Sequence, residues 1–456
     1  MGATQQDART EPQAAGSSSG GLPEASLPEA LTILLTGVVP ALVRGLFSPR
    51  RSAMRLLGRL DTDRRAVSMI GSIRRRHEGD GVRLLGGKIA VLWGPGAIKE
   101  ALDRSAEVYD SGSGAKAKGM SHFQPEALTL SHGEEWRDRR EFAESVLASS
   151  ERVHPYAKHF LTVVAEEIAR LDIGNTLEWA DWERLFDFIT LRVIFGDSAR
   201  ENQRLTQLLE QLMGEANRLV ALSNGDSYYE FYGEIERALR DPDPGSLIAR
   251  IPDAHQTDQT RVTHQIPHWL FAMRDTLGMN AFRALAAIVA EPQIENQVRE
   301  ELEGADLRDP QAIDGMRYLE GCLQEAMRLW PTTPLLARET TEETTLAGEK
   351  LDAGTQVMLL NVVNHRDPDH VEDADRMAPE RWATEERDYR FNHLSNGSQD
   401  CPGGPLVLLL GKAAIGGVLD AYELKLSEPR LAAGKPLPHM LDFFQTRFSA
   451  KRKGGA

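Results

Sequence analysis

The sequence predicts a mainly α fold with a small β-rich part. Apolar residues recur at the three-to-four spacing of helices through most of the chain. Strand-like alternation is confined to short runs at 82–95, 338–360 and 422–449. The composition, 41% apolar and 27% charged, supplies a large core beneath a polar surface. Residues 1–28 are rich in Gly, Ser and acidic residues and read as a disordered tail. Residues 29–456 contain neither an internal repeat nor a low-complexity linker, so they read as one domain.

Element by element, 53–77 is helical and basic, and VRLLGGKIAVLWGP (82–95) is a hairpin turning at Gly86-Gly87. Residues 98–105 return to helix, and 110–131 read as irregular. Helices follow at 133–149, 153–171, 180–195, 202–222 and 228–240, and DPDPG (241–245) is a firm break. One long helix spans 261–290 and is closed by Glu291-Pro292. Helices at 292–303, 310–314 and 316–330 lead to the short strands of 338–360. A last helix follows residue 401, and strand-like pieces end the chain.

The formal charge of -15 argues against nucleic acid as a partner. Two cysteines and no secretory h-region fit a reducing, cytoplasmic setting. The stretch 31–47 is apolar but interrupted by Pro40 and Arg44. It reads as a helix on the body or peripheral at a membrane surface, and a membrane span is not expected.

Cys401 has the most unusual setting in the chain. FNHLSNGSQDCPGG (391–404) leads into an apolar helix, placing the thiol at a helix N-terminus where a thiolate is favoured and its pKa lowered. The loop glycines allow close approach of something flat. A haem held by the thiolate fits this setting, and so does a buried structural cysteine. Cys322, in an amphipathic helix, reads as a small apolar core residue. Glu325 and Arg328 share a helical face, and Arg381 in APERW can join them in a buried network.

In order along the chain stand Trp136-xxx-Arg140, an Asp275-Thr276 pair on the long helix, Glu325-xx-Arg328, Arg338, HRDP (365–368), PERW (379–382) and the cysteine loop. Over residues 30–450 this order resembles the cytochrome P-450 family, bacterial soluble type. The resemblance implies that family's triangular fold, with haem b between the long central helix and the cysteine loop. It implies Cys401 as axial iron ligand, with Leu394, Gly397 and Gly403 as loop residues at the haem. Trp136, Arg140 and Arg338 are the implied propionate partners, and Ala272 the implied oxygen-groove residue. Asp275 and Thr276 are the implied proton relay, and Glu325, Arg328 and Arg381 the structural network.

The implied activity is a monooxygenase inserting one atom of dioxygen into a small to medium organic substrate, by hydroxylation or a related oxidation, with secondary metabolism as one setting. Electrons would come from a ferredoxin or flavodoxin with its reductase, docking near Cys401 where Lys412 and nearby arginines meet an acidic partner. Two alternatives stand beside it. One is peroxide-driven or otherwise atypical haem-thiolate chemistry (coupling, nitration, rearrangement), and the other is a non-catalytic haem- or ligand-binding partner protein. The chain departs from the pattern at several places. Leu394 stands where phenylalanine is usual, Gln399 where a basic propionate partner is common, and Met273 where glycine is usual. His393 and His122 are candidate replacements at the propionate, and Gly278 could absorb a helix distortion. Arg274 is expected to point toward acidic neighbours, with a substrate carboxylate as the sharper possibility. The segments 121–128 and 219–232 are the expected pocket lining.

Overall fold

A continuous helical run through the middle of the chain organises the molecule. The computed structural model describes residues 21–218, 224–384 and 388–454. The run is α-helical over Val262–Phe271, π-helical over Ala272–Leu277 and α-helical again over Gly278–Ala290. It is apolar on nearly all sides and therefore buried, every residue from Leu277 to Ile288 included. It packs against the helices Trp179–Phe195, Arg317–Leu329 and Gly404–Ala421. Trp182 Nε1–H donates to Gly278 O at 2.9 Å, fixing the first of these crossings. The run ends at Glu291, and Pro292, whose missing N–H costs nothing at a helix start, opens the next helix.

The β-rich part lies to one side. Strands β1 (Gly81–Leu84), β2 (Ile89–Leu92), β3 (Tyr109–Asp110), β5 (Leu336–Thr340) and β8 (Gln356–Leu359) form a sheet in the order β1-β2-β8-β5-β3. The β2–β8 pair is parallel and the others antiparallel. β4 (Thr176–Glu178), β10 (Arg447–Arg452) and β9 (Tyr422–Glu428) make a second sheet, and β6 (Thr344–Leu346) pairs with β7 (Glu349–Leu351).

Several expectations change. Residues 53–77 hold two helices, Arg51–Leu60 and Thr62–Arg74, broken by Asp61 at φ +50°. The segment 110–131, read as irregular, contains the helix Gly114–Met120. Gly278 absorbs no distortion: it is regular helix at φ -54°, and the π-turn precedes it. Residues 1–20 lie outside the described residues, but Leu22 is fully buried and Ala25 N–H donates to Arg83 O at 2.9 Å, so packed chain begins before residue 29.

Two helices, Leu27–Arg44 and Gly404–Ala421, are long and apolar enough to cross a membrane by length and composition alone. The second is a core helix, 67% of its residues being buried, against 28% for the first. On the first, Leu27, Leu31, Leu35, Val39 and Val43 are exposed and recur every fourth residue, forming one apolar stripe.

Candidate functional site

The cysteine loop is fixed from two sides. Cys401 N–H donates to Leu394 O at 2.9 Å and closes the loop. Gly397 lies on the backbone of Leu102 at φ +68°, where a Cβ would come within 2.3 Å of that carbonyl; glycine is required there for packing. At Gly403, which caps the helix Gly404–Ala421, a Cβ would meet only Leu147 Cδ1 at 3.8 Å. The expected lowering of the thiol pKa is overturned. Burial pushes the Cys401 thiol up, and the Gly403 N–H and Arg140 offset only part of this.

Within the mostly buried middle of the central helix, His268, Phe271, Ala272, Asp275 and Thr276 are only half-buried. Their three-to-four spacing places them on one face. Leu394 and Cys401 are half-buried as well. The cysteine helix crosses the π-turn closely enough that a Cβ at Gly411 would meet Leu277 Cδ1 at 3.0 Å. The adjacent Met273 is buried and points away from this face.

Asp275 is the most perturbed acid in the site. Burial pushes its carboxyl up to about 7, with Arg274 pulling the other way. Its Oδ1 accepts from Arg274 at 2.7 Å, while Oδ2 is buried without a partner. Arg274 itself is buried and faces Asp187 at 2.5 Å and Glu183 and Glu210 at 3.7 Å each. It is thus saturated by acids of its own chain, and the substrate-carboxylate role is corrected.

A haem fits the residues present. Arg338 is buried and donates to Ser105 Oγ at 3.0 Å and Ala337 O at 2.9 Å, with no ion pair among the described residues; burial lowers it to about 10. Both polar atoms of the Gln399 amide are buried without a partner. A buried uncompensated guanidinium and an orphaned amide suit a ligand carrying carboxylates. The residues that would hold the group are Cys401, Arg338, Gln399 and the half-buried helix face.

Other expected residues are placed as follows. Trp136 and Arg140 lie one helical turn apart on Gly133–Leu147, Trp136 half-buried. Arg140 donates to Asp400 Oδ1 at 2.7 Å. Glu325 accepts from Arg328 at 2.7 and 2.8 Å and pairs with Arg381 at 3.3 Å. His122 is held by Glu215 at 2.8 Å, whereas His393 packs edge-on against Trp382 and keeps its Nδ1 buried without a partner. Lys412, expected on a docking face, is buried and paired with Glu320 at 2.7 Å. Part of the expected lining, 219–223, lies outside the described residues. Sequence reasoning missed His268, which counting back two turns from Thr276 would have found; it marked Gln399 as a departure and looked elsewhere for the propionate partner.

Fold and site together describe a mainly helical protein in which a long central helix packs against the helix that follows a cysteine loop. Comparison with known proteins finds one family resemblance. The model described as Cytochrome P-450 matches residues 225–436. Cytochrome P-450 4c3 of Drosophila melanogaster is 26% identical over 179 residues, 37% of this chain and 34% of the relative. Cytochrome P-450 81F2 of Arabidopsis thaliana is 22% identical over 354 residues, 67% of this chain and 71% of the relative. Cytochrome P-450 4V2 of Rattus norvegicus is 23% identical over 182 residues, 38% of this chain and 35% of the relative. The chain spans about a third of the length of the first of these relatives. In sequence, fold and site the chain resembles the cytochrome P-450 family, a family of haem-iron proteins.

Proposed function

We propose that the protein is a haem-thiolate monooxygenase that inserts one atom of dioxygen into a medium-sized organic substrate, taking electrons from a separate redox partner. The observation that carries this reading is the half-buried Asp275-Thr276 pair in the π-turn of the central helix. The cofactor would be haem b with Cys401 as axial ligand; when bound, it supplies oxygen binding and O–O cleavage favoured by the thiolate. Asp275, with one oxygen free and a carboxyl near neutrality, holds and passes protons. Thr276 orients water beside it. Arg338, the Gln399 amide, Trp136 and Arg140 serve the carboxylate edge of the cofactor. Ala272 and Leu394 keep its two faces dry, Gly403 leaves room at the loop, and Gly397 holds the loop on Leu102. The network of Glu325, Arg328 and Arg381 is structural.

The test is spectroscopic. The reduced, carbon monoxide-bound protein gives the Soret band of thiolate ligation, and Cys401→Ala abolishes it. An ordinary imidazole-type band in fresh wild-type protein overturns the reading. Peroxide-driven turnover is a second reading with its own support. Three cations around the outer side of the cysteine loop are already paired: Arg140 with Asp400 at 2.7 Å, Arg152 with Asp314 at 2.9 Å and Lys412 with Glu320 at 2.7 Å. Their pairing leaves less positive charge for an acidic ferredoxin or flavodoxin. Product formation with peroxide alone, against NADPH with a ferredoxin, a flavodoxin and their reductases, separates the two. The exposed stripe from Leu27 to Val43 supports seating at a membrane surface. Flotation with vesicles, lost in Leu31→Glu/Leu35→Glu, tests that placement.

A further inference from the structure

Arg274 is given more carboxylates than it can neutralise. Its Nη1 meets Asp275 Oδ1 at 2.7 Å and its Nε meets Asp187 Oδ1 at 2.5 Å, while Nη2 stands 3.7 Å from both Glu183 Oε1 and Glu210 Oε2. None of Glu183, Asp187 and Glu210 has a second cation among the described residues. Glu183 and Asp187 lie one turn apart on the helix Trp179–Phe195, and Glu210 comes from the helix Gln203–Ala216. The helix Gly404–Ala421 also packs on the π-turn, but its Lys412 is held by Glu320 at 2.7 Å and its Asp420 is exposed.

The four acids differ in access to water, and in a regular order. The side chain of Glu210 is 60% exposed, that of Glu183 27%, that of Asp187 16% and that of Asp275 13%. The series runs from bulk water to the π-turn. Glu183 and Glu210 share the nitrogen Nη2 and so lie within a short bridge of water of each other. Asp187 and Asp275 take the other two nitrogens of the same planar group. One guanidinium balances one carboxylate, and the remaining like charges, largely out of water, are relieved by a bound proton. Burial pushes the carboxyls of Glu183 and Asp187 up and that of Asp275 to about 7, with Arg274 pulling the other way in each. Asp275 Oδ2 is buried without a partner and can carry that proton. A carboxylate that serves only as a strut is treated in the opposite way. Buried Glu167 is surrounded by Arg170 at 2.8 Å, Arg192 at 2.7 Å and Arg200 at 2.8 Å. Burial raises its carboxyl, but the hydrogen bonds of Arg200 and Arg192 bring it below the ordinary value.

We propose that Glu210, Glu183 and Asp187 are the proton intake of Asp275, leading from solvent at Glu210 past the guanidinium of Arg274 to the π-turn. This rests on the reading above that Asp275 holds and passes protons. Asp275 gives its carboxyl proton toward Thr276 and becomes a carboxylate. Asp187 or Glu183 returns a proton to it, and Glu210 takes the replacement from bulk water. Each transfer breaks one O–H bond and forms another, and no electron moves.

The test uses the full chain as isolated, with Glu183→Gln, Asp187→Asn and Glu210→Gln, each checked by far-UV circular dichroism. One arm follows the infrared band of protonated carboxyl against pH, with Asp275→Asn identifying the part due to Asp275. Removing a neighbouring negative charge eases ionisation, so all three variants move the Asp275 midpoint to lower pH. The other arm drops the pH across that midpoint by flash photolysis of a caged proton and times the rise of the same band. Asp187→Asn and Glu210→Gln slow the rise about tenfold. Added acetate, a small proton carrier, restores the rate in Glu210→Gln, where the lost group faces solvent. A midpoint that ignores all three substitutions overturns the proposal. So does a shifted midpoint with a rise at the wild-type rate, since the acids then only tune charge. A slow rise in Glu210→Gln that acetate fails to restore assigns Glu210 to packing and overturns it as well. Neither arm needs a bound cofactor. If the reduced, carbon monoxide-bound protein lacks the thiolate band, the haem-thiolate reading fails by itself, and both arms still decide for or against the intake.

Discussion

Two of the buried charge networks of this protein are built with opposite stoichiometry. In the first, one carboxylate serves several donors. Glu325 accepts from Arg328 at 2.7 and 2.8 Å, from Ala378 N–H at 2.8 Å and from Trp382 Nε1–H at 3.0 Å, with Arg381 alongside. The donors left over on Arg328 go to the carbonyls of His365, Ala374 and Arg376. In the second, one guanidinium serves four carboxylates: Arg274 faces Asp187, Asp275, Glu183 and Glu210. Burial raises the carboxyls of Glu183 and Asp187, and that of Asp275 to about 7. A satisfied network locks the long loop after HRDP to the helix Arg317–Leu329. An over-acidic one keeps exchangeable protons at the π-turn of the central helix. Position in the fold follows this division, since the first ties a loop to a helix and the second includes Asp275 of the central helix.

The largest effect is expected where the balanced network is cut. Glu325→Ala leaves Arg328 and Arg381 without their carboxylate, which costs about 3–5 kcal/mol. Urea denaturation should show that loss, or the variant should fail to accumulate as soluble protein. A stable Glu325→Ala protein would erase the contrast. In the acidic network the same kind of cut should spare the fold and affect chemistry. Asp275→Asn and Thr276→Ala should lower product formed per NADPH oxidised by about 10–100-fold while far-UV circular dichroism stays unchanged.

The acidic network should also show itself as pH-dependent stability. A carboxyl at about 7 in the folded state and near 3.9 unfolded binds its proton more tightly when folded. Folding stability therefore falls as pH rises from about 4 to 7, and the loss is complete above that. Asp275→Asn removes this slope. Relative to wild type it should gain on the order of 2–4 kcal/mol between pH 5 and pH 8. Parallel urea curves at the two pH values, with no relative gain, would place the proton elsewhere in the cluster.

The balanced network was largely legible in the sequence; of the acidic one, only Asp275 and the turn of Arg274 toward acidic neighbours were, and the identity of those neighbours was not. Glu325 and Arg328 are an i, i+3 pair, and Arg381 stands in a recognisable local motif, so spacing alone suggests their meeting. The central helix, the hairpin at Gly86-Gly87 and the cysteine loop were legible for the same reason: each is a local pattern. The acids around Arg274 come from the helices Trp179–Phe195 and Gln203–Ala216, more than sixty residues away, and only packing selects them. Lys412 misled because a lysine on a helix reads as exposed, yet this one reaches Glu320 and Asp314 O from a buried position.

A third pair, at the surface, isolates what burial adds to such contacts. Arg152 also makes two charge-assisted bonds to one carboxylate, donating to Asp314 Oδ1 at 2.9 and 3.1 Å where Arg328 uses both oxygens of Glu325. Its side chain is 46% exposed, however, whereas Arg328 and Glu325 are at 0%. In water the charges of Arg152 are nearly as well solvated without Asp314 as with it, and salt screens what attraction remains. Arg152→Ala should thus change the free energy of unfolding by about 0–1 kcal/mol, and that small change should vanish at about 1 M salt. One complication works in the same direction. Asp314 would keep a second cation nearby, because Lys412 donates to its backbone carbonyl at 3.1 Å. A loss at Arg152 approaching that at Glu325 would mean that bond geometry, rather than burial and balance, sets the strength of the ion pairs in this protein.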